Sequence, residues 1–131
     1  MVYTLYVNIY KTKPFAKWAD KEGLTDAALA TAAAEVAEGN VEAKLGSYLY
    51  KKRVARQGQG KSGGYRTIIA YRIGDKAFYL FGFDKGAKSN ISQKEREALS
   101  KLAKQLMGYT PKDLGKAVGS GALIKIEVND G

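Results

Sequence analysis

The chain has 131 residues, 45% hydrophobic and 27% charged, the proportions of one globular domain with a core of its own, expected to span residues 1–131. Its 22 Lys and Arg against 13 Asp and Glu give a net charge of +9, which points to an anionic partner. The absence of Cys and His excludes disulfides, thiolate nucleophiles, His-based zinc sites, Ser-His triads and ribonuclease chemistry built on a histidine pair. No apolar run reaches the ~18 residues of a membrane-spanning helix. Residues 1–13 lack the early positive charge and small-residue cleavage site of a signal peptide. A cytoplasmic address with no membrane partner is therefore the expectation.

Along the chain, residues 2–10 are rich in β-branched and aromatic side chains, the composition of a strand. Pro14 opens a short helix that carries Phe15, Trp18 and Ala19 on one face and stops at Gly23. Thr25 is an N-cap for a second, Ala-rich helix running to about Glu38, with Gly39 as its stop. Residues 48–56, 65–73 and 77–83 read as three strands, the last two joined by a tight turn at Gly74-Asp75. Ser92 and Glu95 form a capping box for a helix to about Met107. Thr110-Pro111 starts another short helix, and residues 122–128 read as an edge strand. The class is α+β: a strand and two helices, a three-stranded antiparallel meander, then one or two helices and an edge strand. Helices are expected on one face of the sheet, with the other open to solvent.

The segment 51–72, KKRVARQGQGKSGGYRTIIAYR, stands out. Residues 43–74 contain eight Lys or Arg and no Asp or Glu, a field that attracts a polyanion. Strand alternation puts Lys52 with Arg56 on one face and Arg66 with Arg72 on one face. Neither basic strand has a cleanly apolar side, so alternation alone does not define which side is buried. Residues 55–62 fit a relaxed phosphate-loop pattern, and Gly58, Gly60 and Gly63 match G-x-G-x-x-G. Both patterns need a helix to follow, and the β-rich residues 65–71 follow instead, so the loop is a glycine-rich hairpin connection.

The same segment, followed by the run 76–83 (KAFYLFGF), resembles the RelE/HigB superfamily of type II toxin–antitoxin toxins, and within it a subfamily with the signature K-R-[VI]-A-R-x-G-x-G-K-x-G-G-[YF]-R-[TS]. Residues 11–13, Phe15, Trp18-Ala19, residues 23–26, Asn90-Ile91 and the 99–106 helix fit as well. The resemblance implies a small α+β endoribonuclease that cuts messenger RNA on the ribosome. It also implies a cognate antitoxin, usually a helix-turn-helix protein, with operator DNA bound only by the toxin–antitoxin complex. No cofactor or metal is expected. One departure is visible: the subfamily's A-K-N-E-R after the Phe83 strand reads Asp84-Lys85-Gly86-Ala87-Lys88 here.

Cleavage through the 2′-hydroxyl needs a base, stabilisation of charge on the phosphorane and an acid for the leaving oxygen. Without His, the candidates are Lys, Arg, Tyr and carboxylates. Lys52, between Lys51 and Arg53 and on the face of Arg56, is the expected base, because crowded cations favour a neutral amine. Arg56 and Arg66 suit the transition-state charge, since the guanidinium fork matches phosphate oxygens. The resemblance places Lys52, Arg56 and Arg66 where the family carries basic catalytic residues, and Lys85 where a further Lys or Arg is usual. Lys51, Arg53, Lys61 and Arg72 are expected to bind RNA. Tyr65 and Tyr71 are candidates to stack on bases, although packing is the commoner use of such rings. Two other readings share the fold: a non-catalytic RNA- or DNA-binding regulator or attenuated toxin, and a toxin that targets DNA gyrase.

Overall fold

The computed structural model describes residues 8–55, 64–86 and 88–127. The expected N-terminal strand is therefore seen only in part, as β1 (Asn8–Thr12). Thr12 closes that strand and caps the next helix, its hydroxyl accepting from the Phe15 N–H; α1 (Lys13–Glu22) then carries Pro14 in its first turn. Gly23, at φ 77°, takes the left-handed conformation that ends α1. Thr25 caps α2 (Asp26–Ala37) in the same manner, with Asp26 in the positive first turn.

Next come β2 (Ala43–Lys44), β3 (Leu49–Val54), β4 (Tyr65–Arg72) and β5 (Lys76–Asp84). The two-residue β2 is an addition to the elements expected from sequence. α3 (Gln93–Met107) begins with the full Ser92/Glu95 capping box, and α4 (Pro111–Ser120) with a second box from Thr110 and Asp113. The chain returns as β6 (Leu123–Ile126).

The six strands form one sheet in the order β2-β3-β4-β5-β1-β6. The meander β3-β4-β5 is antiparallel, as expected, and β6 is an edge strand antiparallel to β1. β1 runs parallel to β5, so the sheet is mixed.

Helices cover both faces, which corrects the expectation of one open face. On one side Ile9, Val54, Ile69 and Tyr79 pack with Phe15 and Ala19 of α1 and Leu29 and Val36 of α2. On the other, Leu49, Ile68, Phe78 and Phe83 pack with Ala103, Leu106 and Met107 of α3, and with Leu114 of α4. The physical reason lies in β4 and β5. Ile68-Ile69-Ala70 and Phe78-Tyr79-Leu80 are unbroken apolar runs, which place large side chains on both faces at once. Among the described residues, no helix is long and apolar enough to cross a membrane.

Candidate nucleic-acid interface

The pairing of β3 with β4 sorts the basic residues. Arg53 lies directly opposite Arg66, and Lys51 opposite Ile68. Lys51, Arg53 and Arg66 therefore share the face that α3 covers further along the strands. Lys85 follows the last residue of β5, beside the start of β4, since Tyr65 pairs with Asp84 and Arg66 with Phe83. Four of the expected cations thus converge at one end of the sheet. Like charges this close need a counter-charge.

Glu42 supplies one. Arg66 Nε donates to its Oε1 at 2.7 Å, and Lys51 Nζ lies 3.8 Å from the same oxygen. Lys51 Nζ also donates to Asn90 Oδ1 at 3.4 Å, which ties β3 to the loop before α3. Partial burial works to raise the Glu42 pKa. The hydrogen bond and charge of Arg66, with the charges of Lys51 and Lys85, outweigh it and hold the carboxyl below its usual range.

Glu42 sits on a fixed strip of backbone. Its N–H donates to Lys51 O at 2.8 Å, and Ala43 pairs with Lys51. Arg96 of α3 pins the far end by donating from Nε (3.0 Å) and Nη2 (2.6 Å) to Leu45 O.

Lys52 is elsewhere. It pairs with Thr67 across the strands and points to the α2 face. There it is 5% exposed, with Nζ 2.8 Å from Glu35 Oε1 and donating to Asn40 O at 3.0 Å. The structure does not bring Lys52 to the Arg66 cluster, because adjacent residues of a strand face opposite sides of the sheet.

Arg72 shares a face with Arg66 but stands at the other end of β4, roughly 20 Å along the strand. It is engaged there with Asp75, with Met107 O at 3.3 Å and with the Tyr48 ring. Tyr65 and Tyr71 are each 4% exposed. Tyr65 meets Trp18 edge-on and donates to Glu22 O at 3.2 Å, while Tyr71 packs edge-on against Tyr50. Neither presents a face to a base, so the stacking expectation is corrected to core packing. Arg56 and Lys61 lie outside the described residues.

Sequence reading missed Glu42, one position before the acid-free stretch at 43–74. The available signal was the turn at Gly39-Asn40 followed by V-E-A-K, which can run back along K-K-R with Glu42 beside the cations. Among the described residues, no group of three or more Asp or Glu is placed to hold a metal ion.

Arg53, Arg66, Lys51 and Lys85 bring guanidinium forks and ammonium groups to one end of the sheet, the groups whose chemistry matches phosphate oxygens. Comparison with curated proteins finds no match. A family model described as the RelE toxin of the RelE/RelB toxin–antitoxin system matches residues 7–126. That span takes in every described strand and helix, and the chain belongs to the RelE family of toxins.

Proposed function

We propose that this RelE-family toxin is an endoribonuclease that cuts messenger RNA on the ribosome, in the cytoplasm, as one domain and without a metal. The observation that carries the reading is the convergence of Arg53, Arg66, Lys51 and Lys85 at one end of the sheet. When the 2′-hydroxyl attacks the adjacent phosphorus, negative charge grows on the phosphorane oxygens. Arg66 is the residue assigned to that charge, because a guanidinium fixed on a central strand stabilises it without reorganising. Lys51, Arg53 and Lys85 hold the flanking phosphates, and Arg56 and Lys61 of the connection are assigned the same contacts. Lys52 supports the site from the opposite face.

The family implies a cognate antitoxin. We assign it the helix-turn-helix class and operator binding as a complex, from the signature in residues 51–67. The burial of Lys52 favours a second reading, a non-catalytic RNA-binding module, since it takes the expected base away from the cationic end.

Expression without the antitoxin should arrest growth, and mapping transcript 5′ ends should reveal new ends inside coding regions. Arg66→Ala should abolish both effects while the protein stays folded and abundant. Arrest without new ends would favour the binding module or gyrase targeting. Undiminished cleavage by Arg66→Ala would remove the assigned site.

A further inference from the structure

Arg66 is the least exposed of the clustered cations, at 7%. A phosphate cannot reach a covered guanidinium, so something must move when one binds. The carboxylate of Glu42 lies against Arg66 Nε at 2.7 Å, the length of a charge-assisted bond to an anion. Its side chain is 35% exposed against 8% for that of Arg66, so the carboxylate on Arg66 itself borders water. The backbone of Glu42 is held by its bond to Lys51 O and by the pairing of Ala43. Only side-chain torsions are needed to withdraw the carboxylate.

We propose that Glu42 is an internal competitor for Arg66: its carboxylate occupies the phosphate position in the free protein and rotates out when an RNA phosphate arrives. The proposal rests on the reading of this face as RNA-binding. Glu42 and a phosphodiester each carry one negative charge, so the exchange leaves the charge around Arg66 unchanged. Passing polyanions are drawn by the outer cations Arg53 and Lys85, both exposed, but gain little from Arg66. RNA seated closely enough to displace Glu42 gains the fork contact. The competitor thus suppresses loose binding and reserves Arg66 for a seated substrate.

The test compares wild type, Glu42→Gln, Glu38→Gln, Arg66→Ala and the Glu42→Gln/Arg66→Ala double variant. The probe is a fully 2′-O-methylated, fluorescently labelled 12-nucleotide RNA at low salt, which cannot be cleaved. Gln keeps the size of Glu42 and an acceptor oxygen for Arg66, and thermal melting checks folding. Glu42→Gln should tighten binding about fivefold. Glu38→Gln removes the same charge from an exposed residue after α2 and should change binding by less than about twofold. In the Arg66→Ala background the gain from Glu42→Gln should largely vanish. Unchanged or weaker binding by Glu42→Gln, or an equal gain from Glu38→Gln, overturns the proposal.

If no form binds the RNA, the reading of this face as a binder of free RNA fails by itself, and the mapping of transcript ends still judges the nuclease. The competitor is then judged with inorganic pyrophosphate, followed by NMR at the Arg66 Nε–H. Tighter pyrophosphate binding by Glu42→Gln alone sustains it, and equal binding ends it.

Discussion

At the scale of single residues, the contrast between Lys51 and Lys52 shows how strand geometry overrides sequence adjacency. One ammonium joins the cationic end with Glu42 and Asn90, the other enters the interior with Glu35. Gly82 is a second case where one side chain decides a packing. The ring of Trp18 lies on the space a Cβ would occupy there, and Trp18 in turn meets Phe15 at 5.5 Å and Tyr65 at 5.4 Å. A methyl group at Gly82 overlaps that ring and must push α1 off β5. Overpacking of this kind costs about 1–3 kcal/mol. Gly82→Ala should therefore lower the unfolding free energy by an amount near the top of that range, with a matching fall in the denaturant midpoint. A midpoint equal to wild type would mean that Trp18 can rotate away freely.

At the scale of elements, α2 is held on the sheet at both ends by lysines from the strands. Lys11 Nζ donates to Asp26 Oδ1 at 2.7 Å near its N-terminus. Lys52 reaches Glu35 and Asn40 O at the other end. Both lysines are buried, whereas Asp26 and Glu35 are about half exposed. Glu35→Ala leaves the Lys52 ammonium without its carboxylate. An enclosed pair broken this way costs about 3–5 kcal/mol, and the opening of the Glu35 position to water reduces that to about 2 kcal/mol. Lys52→Met, which removes the charge along with the need for a partner, should cost less. Equilibrium unfolding of both variants checks the order, and a costlier Lys52→Met would mean that the lysine stem or its bond to Asn40 O dominates.

The helix starts were legible in the sequence because caps are local: Thr12, Thr25, Ser92 with Glu95, and Thr110 with Asp113 all act within three residues. The meander was legible for the same reason, through its Gly74 turn. The face that Lys52 takes was not, since both parities of β3 mix apolar and basic residues. Glu42 was hidden because β2 has two residues, and only its register with Lys51 and Tyr50 brings the carboxylate to Arg66.

At the scale of the whole molecule, the charge balance sets how stability depends on pH. The chain has no His or Cys, so apart from the terminal amine no ordinary side-chain group titrates near neutrality. Among the described residues, four carboxyls are held low in the folded protein. For Glu95 and Asp113 the main cause is the backbone N–H of the residue each caps, Ser92 and Thr110. For Asp75 and Glu42, partial burial works the other way and is outweighed, by Arg72 and Lys76 in one case and by Arg66, Lys51 and Lys85 in the other. A carboxyl with a depressed folded pKa contributes stability above its unfolded value, 3.8 for Asp and 4.5 for Glu, and loses it as pH falls through the folded value. Among the described residues, three phenols lie on the opposite side of neutrality. Burial is the main cause that raises Tyr10, Tyr71 and Tyr79 above 10.0, with Asp75 adding to the effect at Tyr10 and Glu35 at Tyr79. Each raised phenol contributes stability that is complete below 10.0 and declines as pH rises through the folded value, because the unfolded chain ionises first. The denaturant midpoint should accordingly be flat from about pH 5.5 to about pH 9 and fall on both sides. Glu42→Gln should shallow the acid limb and leave the alkaline limb alone, since only the carboxyl side of the balance has changed. A midpoint that moves steeply between about pH 6 and 8 would place a titrating side chain where this composition has none.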